Sequence, residues 1–300
     1  MAPGSRNAIT DVPGVRVGHS QAQSGERTGV TGVAPPSLPA PAGAASINAM
    51  GELTGKLEID ERGTIQTPVY LCGTHAVGTV HHAAVLASGR GPDDVVLPVV
   101  GECDDGDMAD SRTVTGADVE RALEALSEDV AEGSVGAGTG MICFGYPGGI
   151  GTSSRIAGSH RVGVLALCNF GDRRYLDVRG AAAKPDGHIP VDRGSCITVC
   201  ATDAPLSVHQ LRRLALRPLL GLARVGSYGS HFSGEIGLAF GTSSTEGVPD
   251  ERLDPYFAAA YEAAHEAVLN CLVAARPAQR LDGTMQEAFP IEAVRATAVE

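Results

Sequence analysis

The sequence predicts a layered α/β sandwich, and three observations carry that expectation. Strand-like and helix-like segments alternate along the chain without a strict βαβ rhythm, which argues for stacked layers over a Rossmann domain. Gly occurs 39 times in 300 residues, roughly twice the average usage, as close backbone crossings between layers require. Hydrophobic residues make up 43% and charged residues 19%, enough to bury a core and too balanced for a disordered chain.

The elements follow in order. Residues 8–19, AITDVPGVRVGH, read as a strand, a Pro-Gly turn and a second alternating strand. Residues 33–43 form the only proline-rich stretch, a linker or surface loop too early to divide the chain into domains. Thr74–Ser88 has helical spacing with Thr74 as its cap, and Val95–Val100 reads as a buried strand. Asp118–Glu132 is an amphipathic helix with Val119, Leu123, Leu126 and Val130 on one face. Strands follow around 140–144 and 162–169, separated by the glycine-rich loop 148–155, and a polar, turn-rich stretch covers 171–194. A strand over 195–202, a helix over 207–222, a strand over 236–240 and a long Ala-rich helix over 251–275 complete the reading.

Composition excludes several function classes. A net charge of −12 without any basic-aromatic cluster argues against a nucleic-acid partner. No apolar run approaches the ~20 residues of a membrane helix, and the first residues lack a secretory apolar region, so a cytoplasmic protein is expected. The seven cysteines are scattered, without a C-x-x-C pair, and read as buried reduced thiols. Lys56 and Lys184 are the only lysines, and neither sits in a convincing setting for Schiff-base chemistry.

The familiar motifs are missing. Gly148-Gly-Ile-Gly-Thr152 lacks the lysine of a phosphate loop, so a backbone crossing or a substrate-facing turn is the better reading. His81 and His82 are adjacent, His75 lies two turns from His82, and no H-E-x-x-H occurs, so no metal is expected. Gly226-Ser-Tyr-Gly-Ser230 is a broken form of the hydrolase elbow.

Ser195 is different, because it opens a buried strand directly after a polar linker that ends at Gly194. On local pattern alone Gly-Ser reads first as the turn entering that strand. If the Gly194–Ser195 bond were cut, however, the new α-amine, with an ordinary pKa of about 7.7–8.0, would be a general base beside its own hydroxyl. That supplies the base which a lone serine lacks.

Several ordered stretches then resemble one family. They are ITDVPGVRVGH at the start, GGIGTSSR at 148–155, the strand end Leu167–Gly171, SCITVCATDAPL at 195–206, GLARVGS at 221–227, Ser233-Gly-Glu235 and the tail 270–290. The chain resembles the self-processing aminopeptidases that include the L-aminopeptidase D-Ala-esterase/amidases and β-peptidyl aminopeptidases, with nylon-oligomer hydrolases as relatives. The resemblance implies a four-layer α/β/β/α sandwich, a single catalytic domain over 1–300, and a self-cut into an α chain 1–194 and a β chain 195–300. It implies Ser195 as nucleophile, Ser233 and Glu235 as an auxiliary pair holding the Ser195 amine or hydroxyl, and Asn169 as oxyanion donor. It also implies no cofactor, a small peptide or aminoacyl amide or ester as substrate, and a homo-oligomer of processed αβ units.

Two departures bear on substrate preference. Glu102-Cys-Asp-Asp-Gly106 carries Asp104 where the family places an aromatic residue, within an acidic cluster that extends to Asp110. Facing the pocket, Asp104 would bind a substrate amine; facing water, it belongs to a solvated acidic loop. Asn48-Ala-Met-Gly51 also lacks the family's second glycine. An acyltransferase of the ornithine-acetyltransferase-like fold, an uncleaved non-catalytic oligomer, and a thiol enzyme using Cys103 or Cys196 are the alternatives.

Overall fold

Alternating apolar residues leave strand faces that must be covered, and the computed structural model shows two sheets and two helical layers doing so. The structure describes residues 1–178, 181–182 and 194–292. The main strands are β1 (Arg16–Gln21), β2 (Gly29–Ala34), β3 (Ala40–Ala49), β4 (Thr64–Ile65), β5 (Val69–Gly73), β6 (Val99–Cys103), β7 (Gly149–Ala157), β8 (His160–Asn169), β9 (Gly194–Thr202) and β10 (Ser233–Gly241). The helices are α1 (Lys56–Arg62), α2 (Val77–Ala87), α3 (Gly116–Glu124), α4 (Val208–Val225) and α5 (Asp254–Ala274).

One sheet has the order β1-β2-β5-β6 and the other β4-β3-β10-β9-β8-β7. Only the β5/β6 and β9/β10 pairs are parallel; the other neighbours within these two sheets run antiparallel. Val33, Leu71 and Val99 of the smaller sheet meet Leu165, Ile197, Val199 and Leu238 of the larger in one inter-sheet core. Helices α4 and α5 cover the outer face of the larger sheet, and α2 and α3 cover the smaller. This is the expected α/β/β/α order.

The helix layer approaches the larger sheet closely because glycines face it. A Cβ at Gly151 of β7 would lie 1.8 Å from the Ala267 carbonyl of α5, and one at Gly237 of β10 would lie 2.2 Å from the Ala215 carbonyl of α4. The same β7 carries Arg155, whose guanidinium pairs with Glu262 at 3.2 Å and Glu266 at 2.5 Å on α5. Residues 148–155 are therefore mostly strand and not a loop, although the expected backbone crossing is there.

Other local expectations are corrected. Residues 9–11 wind into a 3₁₀ turn and not a strand, because the Asp11 carboxylate accepts from the Arg6 amide at 3.0 Å and the Ser154 hydroxyl at 2.7 Å. The proline-rich stretch runs into β3, with Pro41 in the short edge pair opposite Thr64. The Val95–Val100 strand starts only at Val99, since Val95 is exposed and Pro98 has no amide to donate. The helix expected to reach residue 132 stops at Glu124, because Ser127 and Val17 exchange two backbone hydrogen bonds of 2.9 Å. Of the polar stretch 171–194, residues 179–180 and 183–193, including Lys184, lie outside the described residues.

Candidate active site

Ser195 stands near the start of β9, with β8 on one side and β10 on the other. Across β8, Asn169 is its direct antiparallel partner. Across β10, the parallel register pairs Gly194 with Ser233, Ser195 with Gly234 and Cys196 with Glu235. Pairing alone thus gathers Ser195, Asn169, Ser233 and Glu235 at one end of the larger sheet.

Side-chain alternation then sorts them by face. Ser195 shares its face with Ile197 and Val199, and Asn169 shares its face with Leu165 and Leu167, all four in the inter-sheet core. Ser233 and Glu235 lie on the opposite face with Ala239, toward α4. They flank the Gly194–Ser195 peptide from the helix side.

Each position is tightly held. The Asn169 Oδ1 accepts from the Ile142 amide at 2.8 Å, and its Nδ2 donates to the Asp104 carbonyl at 2.8 Å. The Ser233 hydroxyl donates to Glu235 Oε1 at 2.6 Å, and the Ser227 hydroxyl reaches the same oxygen at 3.3 Å. Asn48 Nδ2 donates to the carbonyls of Ser230 at 2.7 Å and Ser233 at 2.5 Å, clamping the turn that leads into β10. Pairing of β3 with β10 steps from Asn48↔Glu235 to Ser46↔Ile236, so Ile47 bulges beside the site.

Two atoms stand without partners. Ser195 is 3% exposed, and its Oγ makes no hydrogen bond among the described residues; nor does Glu235 Oε2. Burial pushes the Glu235 carboxyl above its ordinary range, with the Ser233 and Ser227 hydroxyls opposing that shift. The direct Ser233–Ser195 hydroxyl contact envisaged from sequence is absent here, since the Ser233 proton goes to Glu235.

A cleft of about 540 Å³ opens onto Ser195. Its wall includes Phe232, Thr74, His75, Glu102, Asp104 and Asp107, and among the described residues no Lys or Arg lines it. Asp104 therefore lines the pocket. Glu102 is buried, with Oε1 accepting from the Glu52 amide at 2.8 Å and Oε2 accepting from the Thr74 hydroxyl. Burial raises its carboxyl, and the neighbouring Asp104 adds to that rise. Thr74 thus spends its hydroxyl on Glu102 and not on the helix cap expected from sequence. Glu102, Thr74 and Ser227 were not legible as site residues, because their role depends on which strand ends meet.

All seven cysteines are buried and free. The Cys103 thiol donates to the Leu167 carbonyl at 3.7 Å, and burial drives the thiols of Cys103 and Cys196 well above their ordinary value. Among the described residues no cluster of three or more His, Cys, Asp or Glu has the geometry to hold a metal ion, and no helix is long and apolar enough to cross a membrane.

A family model for peptidase family S58 matches residues 7–286. The chain belongs to that family. It is 40% identical to the β-peptidyl aminopeptidase BapA of Sphingosinicella microcystinivorans, over 98% of this chain and 88% of BapA. A Burkholderia sp. β-aminopeptidase superposes with a TM-score of 0.89 at 37% identity, covering 98% of this chain and 95% of that one. The L-aminopeptidase D-Ala-esterase/amidase of Ochrobactrum anthropi, described as a prototype serine aminopeptidase with a variant Ntn-hydrolase fold, gives 0.89 at 36% identity, with 98% and 94% covered. The S58 chain thus shares the Ntn-hydrolase-type fold of these enzymes, and the family expected from sequence holds.

Proposed function

We propose that this S58 peptidase cuts itself between Gly194 and Ser195 and then acts as an aminopeptidase or amidase with Ser195 as nucleophile. One observation carries the reading: the Gly194–Ser195 peptide lies at a strand tip, with Asn169 beside it, Ser233 and Glu235 beneath it, and a cleft opening onto Ser195. In the cut, Ser195 Oγ adds to the Gly194 carbonyl and the C–N bond breaks. The nitrogen takes the Oγ proton and becomes the free Ser195 amine, and water then hydrolyses the resulting ester to the Gly194 carboxylate and the Ser195 hydroxyl.

In the mature form that amine takes the Oγ proton as Ser195 attacks the substrate carbonyl. The Asn169 amide stabilises the oxyanion, an effect worth roughly 3–4 kcal/mol in comparable sites. The leaving amine departs with the proton, and water releases the amino acid from the acyl-enzyme. Ser233 and Glu235 lie on the face opposite the Ser195 side chain, so they act on the α-amine and not on Oγ. Glu102, the most buried carboxylate on the cleft wall, takes the substrate's α-ammonium. Resemblance to the family supports a homo-oligomer of αβ units, and the buried free thiols suit a cytoplasmic setting.

The test is the intact mass of freshly purified protein, wild type beside Ser195→Ala. Chains 1–194 and 195–300 in the wild type and one chain in the variant are expected. One uncut chain in both overturns the self-processing reading.

A further inference from the structure

The acidic groups on the cleft wall are held differently, Glu102 by neutral donors and Asp107 by a cation. Glu102 accepts from Thr74 and the Glu52 amide, and Asp107 pairs with Arg280 at 3.4 Å. Asp104 is not so matched: its side chain accepts only the Gly106 amide of its own loop, at 3.0 Å, and no cation pairs with it among the described residues. Its backbone is fixed relative to the nucleophile, because Asn169, the register partner of Ser195, donates to the Asp104 carbonyl. Ser195 lines the same cleft, and its buried hydroxyl has no hydrogen-bond partner among the described residues.

A substrate's α-ammonium balances one carboxylate, and Glu102 takes it. That leaves a second acidic group in the same cleft, with no Lys or Arg among the described residues of the wall to offset it. A substrate with one positive charge leaves Asp104 unpaired; a substrate with two satisfies both acids. We infer that Asp104 sets specificity by taking the cationic side chain of a basic N-terminal residue, so that the preferred substrates are amides and peptides beginning with a lysine- or arginine-like residue. This rests on the aminopeptidase reading above and adds the substrate class to it.

The experiment compares kcat/KM for lysyl and norleucyl p-nitroanilides, which share a carbon chain and differ in the terminal ammonium, in both α- and β-amino-acid forms. The wild type is expected to favour lysyl at least tenfold in the form it accepts. Asp104→Asn should cut that ratio at least tenfold, and Asp104→Leu should shift it further the same way, with intact mass confirming that each variant is processed. A ratio is insensitive to a general loss of active enzyme, so a merely structural role would not move it. Turnover of both substrates with a wild-type ratio of one or below, or a ratio unchanged in both variants, overturns the inference alone. Turnover of neither by the processed wild type overturns the aminopeptidase reading and this inference with it.

Discussion

Asn169 stands directly opposite Ser195 in the antiparallel β8/β9 pair, and both side chains point toward the space between the sheets. The Asn169 amide is anchored at both ends, by the Ile142 amide and the Asp104 carbonyl. It is thus a pre-oriented dipole, and Nδ2 retains a second hydrogen after serving Asp104. Pre-orientation matters because a donor already in place costs no reorganisation as charge develops.

Asn169→Asp keeps the oxygen that accepts from Ile142 and removes the donor. The processed variant is expected to lose roughly 10²–10³-fold in kcat, with KM changed far less. Steady-state kinetics on an aminoacyl anilide read this directly. A kcat within about threefold of wild type would remove Asn169 from the oxyanion role.

Buried carboxyls give the fold a pH signature. Glu102, Asp105, Glu132 and Glu235 are each raised above their ordinary values, chiefly by burial. A carboxyl raised in the folded state contributes stability that is full below its unfolded value and is lost as pH rises through its folded value. Glu262 behaves in the opposite sense, because the N-terminal ammonium and then Arg155 lower it. Its contribution is present above its ordinary value of 4.5 and lost as pH falls through the lowered folded value. Maximum stability is therefore expected on the acid side of neutrality. In the uncut Ser195→Ala background, which has no Ser195 amine, adding Glu235→Gln should flatten the decline of Tm from acid toward neutral pH. Parallel Tm curves for the two proteins would show that Glu235 does not titrate differently on folding.

Legibility in the sequence followed the kind of residue that builds each element. β9 and β10 read plainly, because β-branched and apolar runs end at glycine or polar breaks, and their parallel pairing then assembles Ser195, Ser233 and Glu235. β7 reads as a loop in sequence because Gly149, Gly151 and Ser153 look like turn residues, whereas it is a strand. Their small size answers instead to close neighbours, the α5 backbone at Gly151 and the 133–138 segment at Gly149, tertiary demands with no local signature. Ser127 likewise ended a helix that periodicity would have extended, through a bridge to Val17 more than a hundred residues earlier. In sequence Glu102 is one acid among several, and what distinguishes it is the Thr74 hydroxyl at the end of the neighbouring strand, which donates to it.

A thiol enzyme predicts a different response to alkylation. Cys103 and Cys196 are buried, and their thiols are driven away from the reactive thiolate. Native protein incubated with iodoacetamide near neutral pH should retain its activity and gain no adduct at either residue, while denatured protein takes up label on its cysteines. Inactivation in step with labelling of Cys103 or Cys196 would restore the thiol alternative.

The close approach of α5 to β7 can be tested without touching the site. A Cβ at Gly151 would press to 1.8 Å from the Ala267 carbonyl oxygen and 2.9 Å from Cys271 Cβ. The first obstacle is helix backbone, which no rotamer change can move, so either the helix or the strand must shift. Gly151→Ala is expected to cost at least about 1–3 kcal/mol, the usual range for overpacking. Gly78 in α2 is the control, because nothing lies within 4 Å of a Cβ there. Gly78→Ala should be neutral or stabilising by up to about 1 kcal/mol through helix propensity. Urea unfolding of both variants in the Ser195→Ala background keeps the chain whole and the comparison reversible. Equal midpoints for Gly151→Ala and its parent would mean that β7 and α5 sit farther apart than the structure places them.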